Sequence, residues 1–161
     1  MEEVLYLNRR DRAQPESIDP RASLANFAHE FGGRERIPED ALDIQVRTAQ
    51  RLWFDRQHLD QVLWNLVRNA WRHSRQGAGS VKVLVSPAPA PATLYIEVFD
   101  DGPGVSREAQ QHLFEPFFTT DAQGTGLGLY IERELCEGNG ARIELVSSGS
   151  GGRLRITSKA V

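Results

Sequence analysis

Two glycine clusters, about twenty residues apart, constrain this chain more than any other feature. Residues 100–104 (DDGPG) follow the alternating apolar run TLYIEVF, which predicts a strand. Residues 124–128 (GTGLG) lead into LYIERELCE, whose apolar residues have helical spacing. Glycines permit close backbone approach, and a helix N-terminus offers free N–H groups, so the second cluster suits a phosphate chain. Asp100 at the strand end could accept a hydrogen bond from an exocyclic amine. Together the two clusters point to a purine nucleotide.

Residues 56–74 (RQHLDQVLWNLVRNAWRHS) predict a helix with a polar shoulder beside its buried face. Asn65 and Asn69 lie one turn apart on that shoulder, with Arg72 and His73 following them. Asparagine is a mediocre helix former, and its carboxamide oxygen suits Mg²⁺, which shares itself with substrate phosphates. Trp64 and Trp71 fall on the opposite shoulder and are predicted to pack. The predicted buried face consists of Leu59, Val62, Leu63, Leu66, Val67 and Ala70.

The first half of the chain predicts one helix and two short strands before this long helix. Residues 1–10 read as a helix end, and DRAQPESIDP as a linker. A helix capped by Asp19 or Ser23 is expected to run to about Phe31, with Gly32 and Gly33 ending it. Strands are predicted at 42–48 and 51–55, where a hairpin around Ala49 and Gln50 could join them. Asp55 is predicted to cap the long helix.

The second half predicts four further strands. The segments 80–86 and 93–99 alternate and are joined by a stiff proline-alanine loop, while 142–147 and 153–158 form a hairpin. Because strands and helices mix without strict alternation, the pattern favours an α/β (α+β) two-layer sandwich. The expected sheet has about five mostly antiparallel strands, with about three helices on one face.

Bulk composition excludes several classes of protein. The chain has 161 residues, of which 40% are hydrophobic, enough for one core. A net charge of −3 gives no reason to expect a nucleic-acid partner. The single cysteine, Cys136, excludes an intrachain disulfide and is predicted to be core. Without a long apolar run or a signal peptide, this part is expected to be cytosolic and to make no membrane contact.

The motifs together resemble the ATP-binding catalytic domain of sensor histidine kinases, in the superfamily shared with gyrase, Hsp90 and MutL. The resemblance covers about residues 20–160. Residues 100–104 resemble its first glycine box, 114–118 (FEPFF) its phenylalanine box, 124–129 its second glycine box and 56–74 its N box. The strings NLVRNAWRHS, LFEPFFTT and GTGLGLYIERELCE are similar to nitrogen-regulation and type IV pilus sensor kinases. The resemblance implies a Bergerat-type fold.

The resemblance also implies roles for individual residues. Asn69 would coordinate Mg²⁺, Asn65 would supply a supporting hydrogen bond near the phosphates, Arg72 would face the phosphates, and His73 would lie against the adenine or ribose. Asn65, Asn69 and Arg72 would be the catalytic residues. The further ATP contacts that it implies are Asp100, Gly102, Gly104, Val105, Phe117, Thr119, Thr120, Gly124, Thr125, Gly126, Leu127, Gly128 and Leu129.

One departure bears on the reaction. In the superfamily's ATPases, a glutamate one turn before the magnesium-binding asparagine activates water; here that position is Asn65, which cannot act as a base. The resemblance therefore implies transfer of the γ-phosphate to an external histidine on a separate dimerisation domain, for relay to a response regulator. His29 lacks the family's phosphoacceptor setting, because Glu30 is followed by Phe-Gly-Gly, and it is expected to be a surface residue.

Residues 105–123 are expected to form a lid over the nucleotide. Phe114, Phe117 and Phe118 would either pack this lid down or dock on the histidine-bearing domain. Asp121 stands where the family commonly has a basic residue. The reversed charge could weaken ATP binding, or Arg107 or Arg72 could replace the missing charge.

Alternative functions stay open at this point. Asn65 and the short chain count against an ATPase like gyrase, Hsp90 or MutL, and only Asp121 favours a nucleotide-binding scaffold or degenerate kinase. Transfer to a partner's serine, as in anti-sigma factor kinases, is a further alternative. Residues 1–19 read either as a frayed terminus or as the end of a dimerisation helix plus a linker, which would leave 20–161 as the catalytic domain. This part is expected to be monomeric and the full kinase a homodimer, with an inner-membrane anchor as an option.

Overall fold

The structure, a computed structural model, describes residues 12–116, 128–146 and 151–161. Four α-helices and seven strands lie in these ranges, besides a one-turn 3₁₀ helix at Glu39–Ala41. In chain order they are β1 (Glu16–Ile18), α1 (Pro20–Glu35), β2 (Leu42–Val46), β3 (Leu52–Phe54), α2 (Arg56–His73), β4 (Val81–Pro87), β5 (Thr93–Asp100), α3 (Arg107–Gln110), α4 (Gly128–Gly138), β6 (Arg142–Leu145) and β7 (Arg153–Lys159).

The main sheet has five strands in the order β2–β4–β5–β7–β6. Only the β2–β4 pair is parallel, and the other three pairs are antiparallel. The prediction of a mostly antiparallel sheet of about five strands is confirmed, as is the hairpin of the last two strands. A separate two-stranded sheet pairs β1 with β3.

The central strand β5 shows how the layers separate. Leu94, Ile96 and Val98 are buried and belong to one core cluster with the apolar face of α2. Glu97 points to the other face of the sheet, where Arg153 and Arg155 bond its carboxylate from β7. This period of two is what a strand with one face against helices requires. Helices α2 and α4 therefore cover one face of the sheet.

The helix caps follow the sequence. Asp55 is the N-cap of α2 and its Oδ1 accepts from the N–H of His58 at 3.1 Å, as predicted. For α1 the cap is Asp19, whose carboxylate accepts from the N–H of Arg21, rather than Ser23. Proline at the first position of α1 suits this choice, because its missing N–H would have no partner inside the helix.

The predicted end of α1 is wrong. The helix passes through Gly32 and Gly33 and ends at Glu35, where Arg36 takes the left-handed conformation with φ 54°. Two glycines cost roughly 1 kcal/mol each against alanine in a helix. The last turn offsets this cost through Trp64 of α2, whose Nε1 donates to Glu35 at 3.1 Å while Arg34 lies over its ring. Tertiary contacts therefore override local propensity here.

The predicted hairpin around Ala49 and Gln50 does not form, so this prediction is also wrong. Strand β2 pairs in parallel with β4, and β3 pairs with β1 instead. Strand β1 lies within the segment read as a linker, and its Ile18 is fully buried. Residues 16–18 therefore belong to the folded unit, because an apolar side chain at the end of this strand completes the core between β3 and α1.

Several single-residue predictions are confirmed. Trp64 makes edge contacts with Phe27 and Phe31, and Trp71 packs on the core from its margin. Cys136 is a buried free thiol, and burial raises its pKa above the usual range. His29 is exposed on α1. None of the helices in the described ranges has the length and apolar character needed to cross a membrane.

Candidate functional site

Asp100 closes β5 with its carboxylate held by two backbone donors. Oδ1 accepts from the N–H of Gly102 at 2.9 Å and from the N–H of Gly152 at 3.3 Å. The backbone N–H of Asp100 donates back to the carbonyl of Gly152 at 3.0 Å. Because both side-chain hydrogen bonds fall on Oδ1, the carboxylate has a fixed orientation.

Three glycines make this arrangement sterically possible. A Cβ on Gly102 would lie 2.0 Å from the carbonyl oxygen of His73, at the end of α2. A Cβ on Gly151 would lie 2.2 Å from the backbone oxygen of Asp100, and one on Gly152 would lie 2.4 Å from Asp100 Oδ2. The turn after β5, the end of α2 and the start of β7 thus meet at distances that exclude side chains.

Gly151 and Gly152 were missed by reading the sequence, which assigned them only to a hairpin turn. Their place follows from register: Phe99 pairs with Arg153, so the residue after Phe99 lies beside the residue before Arg153. The double glycine in SSGSGG was the available signal. A local pattern could not connect it to Asp100, because the partners are far apart in the chain.

Asp101 ties the loop after α2 to the same turn. Its Oδ1 accepts from the N–H of Arg75 at 2.8 Å, and its Oδ2 accepts from the hydroxyl of Ser80 at 2.9 Å. The hydrogen bond from the Arg75 backbone is the main reason that the pKa of Asp101 lies below its ordinary value. Asp101 therefore serves the shape of the site and was not predicted from sequence.

Helix α2 brings its polar shoulder to this turn. Asn69 is half-buried, while Arg72 and His73 are exposed in the last turn, where the His73 carbonyl meets Gly102. Asn65 is buried: its amide donates to the carboxylate of Glu132 on α4, and its carbonyl accepts from Arg68 at 3.0 Å. The four predicted residues share one stretch of helix, but Asn65 faces protein groups on α4 and α2.

The remaining predicted contacts divide into two groups. Gly104 has φ +82° and Val105 is half-buried, both directly after the Asp100 turn, while Gly128 and Leu129 form the start of α4. Phe114 packs on the core from the predicted lid. The predicted contacts at Phe117, Thr119, Thr120, Gly124, Thr125, Gly126 and Leu127, together with Phe118 and Asp121, lie outside the described residues.

The donor set fits a nucleotide with its metal. A fixed carboxylate oxygen suits an exocyclic amine, and the start of α4 suits phosphate. In the described ranges, no group of three or more His, Cys, Asp and Glu side chains could hold a metal ion. The Asn69 carboxamide oxygen would be one ligand of Mg²⁺, which takes its other ligands largely from phosphates and water.

The two-layer sandwich and this site define the class: an α/β nucleotide-binding domain with its polar helix and glycine turn on one side of a mixed sheet. The chain belongs to the family described as histidine kinase-, DNA gyrase B-, and HSP90-like ATPase, whose pattern matches residues 54–160. The family predicted from the motifs is therefore confirmed.

Relatives within this family are named sensor kinases. The sensor protein kinase PilS of Pseudomonas aeruginosa is 45% identical in an alignment 166 residues long, which covers 98% of this chain and 30% of that protein. The nitrogen regulation protein NtrY of Azorhizobium caulinodans is 35% identical in an alignment 129 residues long, which covers 76% of this chain and 17% of that protein. The chain thus spans less than a third of the length of these curated relatives.

Two solved structures have the same fold over nearly the whole chain. Full-length ShkA in complex with AMPPNP superposes with a TM-score of 0.80 at 25% identity, covering 99% of this chain and 35% of ShkA. The nucleotide-free catalytic domain of the histidine kinase ThkA superposes with a TM-score of 0.71 at 25% identity, covering 91% of this chain and 95% of that domain. The fold is therefore that of a histidine kinase catalytic domain.

Proposed function

We propose that this domain binds Mg·ATP and donates the γ-phosphate to a histidine on a separate dimerisation domain of a sensor histidine kinase. The observation that carries the proposal is the Asp100 carboxylate, fixed by Gly102 and Gly152 beside the end of the asparagine helix. A nucleotide whose base reached Asp100 could extend its phosphates along α2 toward Asn69 and the start of α4.

Each residue has a distinct role in this proposal. Asp100 Oδ2 accepts the N–H of the adenine amine; guanine presents a carbonyl oxygen there, which a carboxylate would repel. The Asn69 carbonyl oxygen holds Mg²⁺, and Arg72 neutralises phosphate charge from the last turn of α2. His73 lies against the adenine or ribose, and N–H groups at the start of α4 bind phosphate oxygens. When bound, Mg²⁺ supplies charge neutralisation for the transferred phosphoryl group.

Asn65 supports transfer over hydrolysis. A carboxamide cannot remove a proton from water. In addition, this one is engaged by Glu132 and Arg68. The nucleophile is then the imidazole nitrogen of the acceptor histidine. Its bond to the γ-phosphorus forms as the bond to the β,γ-bridging oxygen breaks, ADP leaves, and the imidazole proton passes to a carboxylate that acts as base beside the acceptor.

The acceptor and the downstream partner lie outside this chain in the proposal. PilS is named a sensor protein kinase, which supports an upstream histidine-bearing domain and a response regulator as the partners. We propose that residues before β1 form the connection to that domain, that the full protein is a homodimer, and that this part works in the cytoplasm as a monomeric unit.

The test is a titration of the chain with a non-hydrolysable ATP analogue, with and without Mg²⁺, followed by calorimetry and tryptophan fluorescence. We expect Mg²⁺-dependent binding, weaker binding of the GTP analogue, and no ATP turnover by the isolated chain. Phosphate should move to a histidine only when the full-length protein is assayed. Failure to bind at millimolar nucleotide would contradict the proposal and favour a nucleotide-independent scaffold.

A further inference from the structure

A line of polar contacts crosses the helical layer beside the nucleotide site. Glu132 on α4 is fully buried, and its carboxylate accepts the amide N–H of Asn65 on α2. The Asn65 carbonyl accepts from Arg68 Nη2 at 3.0 Å. Arg68 Nη1 lies 3.9 Å from Glu35 Oε1 at the end of α1. The contacts therefore join α4 to α2 through the Asn65 carboxamide, and α2 to α1 through the Arg68 guanidinium.

Burial of the Glu132 carboxylate costs free energy, so its presence needs a reason other than holding two helices together. A buried carboxylate loses its hydration and must recover it through hydrogen bonds, so an apolar residue facing another would hold two helices together at lower cost. The hydrogen bonds between polar groups, unlike an apolar contact, also fix the orientation of the side chains. Asn65 has its amide drawn to α4 and its carbonyl drawn to Arg68, which sets both the rotation of its side chain and the approach of the two helices.

The positions of the partners connect this contact to the site. Glu132 lies one turn after Gly128, where α4 begins, and Asn65 lies one turn before Asn69. The two turns that would hold the phosphates and the metal are thus joined one turn deeper in the protein. A change in their separation would displace phosphate donors from the metal ligand.

We propose that Glu132 and Arg68 are positioning residues for Mg·ATP, acting through Asn65 to fix the start of α4 relative to Asn69. The inference rests on the Mg·ATP site proposed above and deepens it. Asn65 then connects α2 to α4 by its hydrogen bond to Glu132 and does not contact a phosphate. Adenosine has no phosphates and would contact only the Asp100 end of the site, so its binding does not depend on the hydrogen bond between Asn65 and Glu132.

The experiment compares Glu132→Leu, Glu132→Gln and wild type in calorimetric titrations with a non-hydrolysable ATP analogue, Mg²⁺ and adenosine. Leucine fills a similar volume without the hydrogen bond, whereas glutamine keeps a carbonyl acceptor for Asn65. We expect Glu132→Leu to weaken Mg²⁺-dependent analogue binding on the order of tenfold. Adenosine affinity should stay unchanged, and Glu132→Gln should bind the analogue nearly as wild type does.

Controls separate this inference from general stability. Glu137 is exposed on the same helix, so Glu137→Leu should leave analogue binding unchanged. Adding Asn65→Ala to Glu132→Leu should cause little further loss, because both changes break one contact. Equal Mg²⁺-dependent binding by Glu132→Leu and wild type would overturn the positioning role alone. Absence of binding by wild type would overturn the Mg·ATP site itself.

Discussion

Gly102→Ala tests the closest approach in the proposed site. The added Cβ would lie 2.0 Å from the His73 carbonyl oxygen and 2.9 Å from its carbon, both backbone atoms. Ordinary contact begins at 3.4 Å, so the turn and the end of α2 must separate by about 1.4 Å. Overpacking of this kind costs about 1–3 kcal/mol of folding free energy.

The same displacement should also weaken ligand binding. It moves Asp100 away from the last turns of α2. A misplacement near 1 Å can lower the rate of a reaction between positioned groups about a hundredfold, which shows how sensitive such a site is to distance. We expect ATP-analogue affinity, measured by calorimetry, to fall at least tenfold, which is about 1.4 kcal/mol. Urea unfolding should show the separate loss in stability of about 1–3 kcal/mol.

Gly33→Ala is the matched control. A Cβ there meets no atom within 4 Å, and Gly33 lies in α1, a helix that holds none of the predicted site residues. Alanine should therefore stabilise the helix by up to about 1 kcal/mol and leave analogue affinity unchanged. If Gly102→Ala binds the analogue with wild-type affinity, the close approach of the glycine turn to α2 has no part in binding, and the reasoning fails.

Three further predictions address the metal, the base and pH. Asn69→Ala should abolish the Mg²⁺ dependence of analogue binding in calorimetry; an unchanged dependence would remove the metal assignment. Asp100→Asn keeps the shape of the side chain and can donate to guanine, so the preference for ATP over GTP analogues should vanish, and a preserved preference would refute the base contact. Burial lowers the pKa of His58, and Asp55 opposes this only in part. His58 Nδ1 accepts from Asn139 at 3.0 Å, as a neutral ring can. As pH falls, His58 therefore gains a proton in the unfolded chain at a higher pH than in the folded chain. The contribution of neutral His58 to the free energy of unfolding should be fully present above about pH 6.5 and should decrease as the pH drops below that value. For one proton the slope is at most about 1.4 kcal/mol per pH unit. Urea midpoints of wild type and His58→Gln should converge toward acid pH; parallel curves would contradict the role of His58.

The folded chain accounts for the departures from sequence-based expectation element by element. The end of α1 was misplaced because glycine propensity is local, whereas the contacts of Trp64 with Glu35 and Arg34 join separate helices. Strands β2 and β3 were expected to pair with each other because they are adjacent in sequence. In the folded chain β2 pairs with β4 and β3 pairs with β1. Strand pairing of this kind depends on the packing of the whole core and not on adjacency in sequence.

The sequence by itself determined the elements that depend on neighbours in the chain. These include the capped asparagine helix, the strand ending in Asp100 and the glycine turn after it, whose combined motifs also identified the family. Only the tertiary structure placed Gly152 against Asp100 and Glu132 against Asn65. Caps, turns and periodicity act within a few residues, so they can be read locally. A hydrogen bond between residues 52 or 67 positions apart depends on sheet register and helix packing, which the whole core sets together.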